Sequence, residues 1–296
     1  MAIRFQGYNK TAGISEDYYK VRALLVALGL GEFTYARWDW MATHTSLDKN
    51  AVGKIGLWED QGRLVGVATF DGQLGTAYCM AMPAYAHLKK DMLQYAEQHL
   101  SRQGEFSIAI ADTDTDFQDI AAALGYTASE HREADSVFYP EKTPYPYELP
   151  EGFSITSMEE CPDLYQYGRV LWKGFNHEAN GEGEFRFAPE TEQALRTEML
   201  RPHVNLSLKV AAVAPDGNFA AYCGMWYDPL AGYAVVEPVA TDPEYRNRGL
   251  GKAVVLEGIR RVHRLGAKKA VVGSSQPFYY RIGFRPYASA TLWKKK

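Results

Sequence analysis

The sequence predicts an α/β (α+β) protein of two similarly built domains, and three observations lead there. Its 296 residues exceed what one ordinary core holds, so two domains of about 150 residues each are the first expectation. Four prolines, Pro140, Pro144, Pro146 and Pro150, crowd one short segment; they forbid helix and mark an extended connector. Strand-like and helix-like patterns then recur in the same order on either side of it. We therefore expect a first domain over 1–140, a linker over 141–150 and a second domain over 151–296.

The second half reads most clearly. Gly152 to Ser157 alternates as a short strand, and Asp163 to Lys173 sets Leu164, Tyr167, Val170 and Leu171 at helical spacing. A segment rich in glycine and acidic residues, Asn176 to Phe187, precedes a helix opened by Pro189 and acidic in its first turn, as the helix dipole favours. Leu206 to Ala214 and Phe219 to Trp226 flank Pro215-Asp216-Gly217-Asn218, a hairpin turn by its Asp-Gly pair. The strand Tyr233 to Thr241 follows. From Leu250, the residues Val254, Val255, Gly258, Ile259, Val262 and Leu265 share one helical face, and Gly266 supplies the stop. Lys269 to Ser274, Phe278 to Ile282 and Arg285 to Trp293 read as strand, short helix and strand.

The first half repeats this order in weakened form. The hairpin Trp58 to Arg63 parallels Ala214 to Phe219, and a helix bearing Leu88, Met92, Tyr95 and His99 parallels the one from Leu250. Met82-Pro83-Ala84-Tyr85 matches Asp242-Pro243-Glu244-Tyr245, and Gly125-Tyr126 and Gly283-Phe284 follow at similar distances. Two copies of one fold result, but after Tyr85 the first copy continues Ala86-His87-Leu88-Lys89-Lys90 and has lost a glycine loop that the second retains.

Composition narrows the function classes. The hydrophobic fraction is 46% and the charged fraction 23%, as in soluble globular proteins, and no run approaches the length of a membrane span. A net charge of -4 gives no electrostatic case for nucleic acid, and the basic end Lys294-Lys295-Lys296 reads as a solvated tail. Cys79, Cys161 and Cys223 are odd in number and lack metal-ligand spacing. We expect a reducing, cytoplasmic setting, no secretory signal and no metal.

The chemistry concentrates after Thr241. A strand feeds a proline turn and then Arg246-Asn247-Arg248-Gly249-Leu250-Gly251-Lys252 at a helix start. Unpaired backbone N–H groups at the positive end of a helix dipole make an anion site, and the glycines permit close approach. Arg246, Arg248 and Lys252 add charge, so a diphosphate is the natural ligand. The spacing excludes a nucleotide P-loop and a dinucleotide fingerprint; a glycine turn before an ordinary helix stays open on the loop alone.

Two segments together resemble the GNAT superfamily of acyl-CoA N-acyltransferases. Glu237 to Lys252 (EPVATDPEYRNRGLGK) resembles its central motif, and Tyr279 to Phe284 (YYRIGF) its closing element. The resemblance covers about residues 150–290, and the first 140 as a degenerate copy without the loop. It implies two GNAT-like domains, each a mixed, largely antiparallel central sheet flanked by helices, with acetyl-CoA (coenzyme A) as cofactor. It further implies that Val239, Ala240 and Thr241 pair through main chain with the pantetheine arm. Arg246 to Lys252 would take the diphosphate, and Tyr279 would protonate the departing thiolate. The family often has asparagine where this chain runs Gly273-Ser274-Ser275-Gln276-Pro277.

Glu237 is the candidate base, because a carboxylate in an apolar strand beside the cofactor edge has its pKa raised by burial. The acidic lip with His177, Glu178, Glu182 and Glu184 could attract a cationic amine, and Trp172, Trp226 and Tyr227 could line an acceptor pocket. Trp38, Asp39, Trp40 and His44 are assigned no chemistry. The reading is an N-acetyltransferase passing an acyl group directly to a primary amine of a small molecule or peptide, without nucleic acid or membrane partners and with the oligomeric state open. The rival is a non-catalytic acyl-CoA-binding sensor or interaction module, which has no need of Tyr279 or Glu237.

Overall fold

The computed structural model describes residues 3–10, 12–42, 44 and 46–295; Lys296 of the basic tail lies outside them. The chain forms two compact units, Met1–Ala134 with Tyr287–Lys296, and Asp135–Pro286.

The first unit contains β1 (Arg4–Gly7), α1 (Glu16–Leu28), α2 (Tyr35–Met41), β2 (Gly56–Asp60), β3 (Arg63–Asp71), β4 (Gln73–Ala81), α3 (Lys89–His99), β5 (Ser107–Ala111), α4 (Thr115–Ala123) and most of β6 (Tyr126–Phe138). Strands β1 to β4 pair antiparallel in sequence order, and β4 pairs parallel with β5. Trp38, Asp39, Trp40 and His44 belong to packing. Asp39 accepts Arg22 Nε at 3.0 Å and the Tyr18 hydroxyl at 2.5 Å, Trp38 Nε1 donates to Tyr18 O, and Trp40 stacks on His44.

The second unit repeats the pattern with β7 (Ser154–Ser157), α5 (Leu164–Gly174), α6 (Pro189–Met199), β8 (Lys209–Val213), β9 (Phe219–Tyr227), β10 (Tyr233–Thr241), α7 (Leu250–Arg264), β11 (Lys269–Val272) and α8 (Pro277–Arg281). Strands β7 to β10 pair antiparallel in sequence order, and β10 pairs parallel with β11 across the α7 crossover. The expected hairpin turn closes through Ala214 N to Asn218 O at 2.9 Å, with Gly217 at φ 86. One sheet face packs on α7, where Val254, Val255, Ile259 and Val262 are at most 1% exposed; each such burial stabilises by about 1.5–3 kcal/mol. Met158, Tyr167, Val170, Ala211, Phe219 and Tyr222 form a separate core on the α5 and α6 side. Each half thus has the mixed, largely antiparallel sheet that the resemblance implies.

The units differ from the expected boundaries in two places. The last strand, β12 (Arg285–Lys295), pairs with β5 from Ala290 opposite Ala111 to Trp293 opposite Ile108, so Tyr287–Lys296 belongs to the first unit and not with 151–296. The end of β6, Ser136 to Phe138, pairs with β11. The proline segment 141–150 contains no helix or strand; it opens in a turn in which Lys142 N and Thr143 N donate to Tyr139 O, and beyond it Tyr145, Tyr147 and Leu149 pack on the α7-side core, with Tyr147 donating to Glu257 at 2.8 Å. Prolines exclude helix, but an extended chain with alternating apolar side chains still has a face to bury.

Candidate active site

Strand β10 is held on both sides only for its first residues. Its parallel ladder to β11 ends at Val235 opposite Val271, while its antiparallel ladder to β9 continues to Thr241. The β11-facing edge of Val239, Ala240 and Thr241 therefore has main-chain groups beyond the end of that ladder. The register against β9 shifts between Val236, opposite Met225, and Val239, opposite Cys223, so Glu237 and Pro238 together face Gly224. This is a β-bulge, the local device that re-aims a strand's side chains. Gly224 permits it, since a Cβ there would lie 2.6 Å from Glu237 O. Trp226 secures it, with Nε1 donating to Glu237 O at 3.0 Å.

Beyond Thr241, Asp242 is fully buried, accepts Glu244 N at 3.1 Å and pairs with Arg169 of α5 at 3.0 Å. The chain then turns through Asn247 at φ 62 and Gly249 at φ 80. Left-handed backbone favours Asn and Gly, and the turn delivers α7 with Gly249 at its N-cap and no side-chain cap. The first-turn N–H groups of α7 thus lack intrahelical partners and stand at the positive dipole end. Arg248 and Lys252 are exposed beside them, and Leu250 sends its side chain into the core. Arg246 is placed differently from the expectation. Its guanidinium donates to Gly174 O at 3.0 Å, Asn176 Oδ1 at 2.8 Å and Thr241 O at 3.2 Å, tying the end of α5 to the end of β10.

Tyr279 lies in α8 with its ring against Phe278 and Phe284. Burial, with Cys223 and Glu237 adding to it, pushes its hydroxyl well above the usual tyrosine range. Glu237 is half-buried.

The model of the acetyltransferase (GNAT) family matches residues 172–284. That stretch, from the end of α5 to Phe284, is similar to the GNAT acetyltransferase family. It is 31% identical over 96 residues to glucosamine 6-phosphate N-acetyltransferase of Trypanosoma brucei brucei, a match covering 30% of this chain and 65% of the relative, slightly under two thirds of its length. A GCN5-related N-acetyltransferase from Sphaerobacter thermophilus aligns with a TM-score of 0.60 at 17% identity, over 99% of this chain and 95% of that one. A tandem GNAT protein from the clavulanic acid biosynthesis pathway aligns with a TM-score of 0.61 at 15% identity, over 99% and 98%. At such identities the structural likenesses establish a tandem GNAT fold and nothing finer.

Around this GNAT core, the lip after α5 is a folded loop. Trp172 stacks on His177 with ring centroids 4.3 Å apart and donates from Nε1 to Gly183 O at 3.0 Å. His177 Nδ1 lies 2.8 Å from Glu182 Oε1, and Phe185 and Phe187 pack on Tyr165. Glu178 is half-buried on the same loop. Trp172 thus anchors the lip that carries Glu178, whereas Trp226, 4% exposed, serves the bulge.

The counterpart in the first GNAT unit is built otherwise. Strand β4 leaves β5 after Tyr78, but among the described residues from Met82 to His99 none has positive φ. There Lys89 pairs with Asp114, and Ala111 N is taken by Glu32 at 2.9 Å.

Sequence reasoning passed over Lys209, which lies nearly out of reach of solvent beside Trp226. A cation opening the apolar run Val210 to Ala214 was the available signal.

Proposed function

We propose that this chain is an acetyl-CoA-dependent N-acetyltransferase that passes acetyl to a primary amine by direct attack in a ternary complex. The observation that supports it most is the run of β10: its edge leaves β11 after Val235 and leads into an uncapped helix N-terminus. An extended amide-bearing arm ending in a diphosphate matches that surface, with Val239, Ala240 and Thr241 pairing the arm. Asn247, Arg248, Gly249, Leu250, Gly251 and Lys252 would hold the anion, and Arg246 would brace the turn. Acetyl-CoA, when bound, supplies the activated thioester.

Glu237 takes the proton of the attacking amine, directly or through water, and Tyr279 donates to the sulfur as the C–S bond breaks. An acyl-enzyme on Cys223 is disfavoured, because that thiol is buried and pushed up to about 12. The first unit, without left-handed residues at its corresponding turn, would carry no cofactor. The name of the trypanosomal relative makes an amino-sugar phosphate the first acceptor to try.

The test is calorimetric titration of acetyl-CoA into the protein and into a Gly249→Trp, Gly251→Trp variant, followed by thiol-release assays with amines, glucosamine 6-phosphate first. One-site binding lost in the variant, with turnover lost in Glu237→Gln and Tyr279→Phe, is the expected result. Absence of acetyl-CoA binding by the unaltered protein would sink the reading. Binding without turnover of any amine would instead favour an acyl-CoA-binding module.

A further inference from the structure

Lys209 opens β8 directly opposite Gly224, the residue that faces the β10 bulge. Its side chain is buried, with the whole residue 4% exposed. Nζ donates to Met225 O at 3.2 Å and sits 4.0 Å from the centroid of the Trp226 ring. Met225 stands one residue past the point where β8 begins its ladder to β9, so the lysine contributes a donor where the strand no longer does. Trp226 in turn donates from Nε1 to Glu237 O at 3.0 Å. Two contacts therefore join the amine to the backbone of the candidate base.

Burying an ammonium is costly, and an apolar side chain of similar length would serve the core better. The charged and titratable groups whose fields reach the amine are, in falling order, Cys223 of β9, Arg201 just beyond α6, Glu198 of α6 and Glu237 of β10. Glu198 lies 3.7 Å from Arg201 and accepts the Tyr167 hydroxyl at 3.0 Å. Burial is the largest influence on Lys209 and lowers it to about 7, so the amine changes charge within the neutral range.

We propose that Lys209 is a positioning residue for Glu237, holding the β10 bulge through Trp226 and favouring the Glu237 carboxylate while it is an ammonium. This inference rests on the reading of Glu237 as the base. As an ammonium, Lys209 attracts the Trp226 face and adds positive charge to the field at Glu237, one hydrogen bond beyond Trp226. As an amine it keeps its bond to Met225 O but loses both effects.

The experiment follows the tryptophan indole N–H resonances, with Trp226 assigned by Trp226→Phe, and the glutamate side-chain carboxyl carbons across the pH range. In the unaltered protein the Trp226 resonance should titrate with a midpoint of about 7. In Lys209→Met that inflection should vanish, and the Glu237 midpoint should rise by about half a pH unit or more. Lys209→Arg should lack the inflection and keep the lower Glu237 midpoint. A Trp226 resonance unmoved in the unaltered protein, or a Glu237 midpoint equal in Lys209→Met, overturns the proposal. Should Lys209→Met fail to fold, Glu237→Gln decides: loss of the carboxylate should lower the Trp226 midpoint, and no shift overturns the proposal. These readings use neither acetyl-CoA nor an amine. Failure of Glu237 as the base would show separately, as undiminished turnover in Glu237→Gln.

Discussion

Gly224 and Trp226 hold the Glu237 backbone between them, one by yielding space and the other by donating a hydrogen bond. Gly224→Ala places a methyl 2.6 Å from Glu237 O, so the bulge must shift; we expect a loss of about 1–3 kcal/mol in stability and a larger proportional loss of turnover, read by urea unfolding and initial rates. Tyr279→Phe should lower kcat by roughly 10²-fold or more while acetyl-CoA affinity, by calorimetry, stays within about twofold. Because burial raises the Tyr279 pKa, the hydroxyl stays protonated well past pH 9, and no alkaline loss of rate should originate there. Lys209 gives the opposite linkage. Its folded pKa, about 7, lies below the free value of 10.5, so between those values the unfolded chain binds more protons and stability rises with pH. Melting curves from pH 6 to 9 should show that rise in the unaltered protein and a flatter dependence in Lys209→Met, with the variant the more stable at pH 6.

Among the elements, β10 and α7 are joined by a turn whose geometry rests on Asp242. Buried against Arg169 and capping Glu244 N, this carboxylate locks α5, the end of β10 and the turn. Asp242→Ala leaves a guanidinium with 11% side-chain exposure without its ion-pair partner, and the expected cost is about 3–5 kcal/mol, measured by denaturant unfolding. Most elements were legible in the sequence. The apolar face of α7, its stop at Gly266 and the Asp216-Gly217 hairpin follow from periodicity and turn chemistry within a few residues. The β10 bulge was not legible, because Glu237 and Pro238 become two residues against one only when β9 sets the register. The contacts of Arg246 were not legible for a related reason: its charge suited the anion loop, but two of the oxygens it reaches, Gly174 O at the end of α5 and Asn176 Oδ1 just after it, lie some seventy residues earlier in the chain.

At the scale of the molecule, each unit completes its sheet with a strand that sequence order would assign elsewhere. Ala290 to Trp293 flank β5, and Leu292 is 7% exposed. Leu292→Asp buries a carboxylate there, so amide exchange across Ser107–Ala111 should accelerate while α7 keeps its protection. Equal acceleration in α7 would mean that the two units unfold as one. No helix among the described residues is long and apolar enough to cross a membrane.

The sequence by itself determined the helices of the second unit and α3, the Asp216-Gly217 turn and the glycine loop, because periodicity, left-handed backbone demand and capping act over a few neighbouring residues. Tertiary structure alone decided which strands complete each sheet, that Trp226 supports Glu237 in place of lining a pocket, and that Lys209 is buried beside them. Those outcomes depend on pairings between residues far apart in the chain. Burial and register are set by partners that local pattern does not specify.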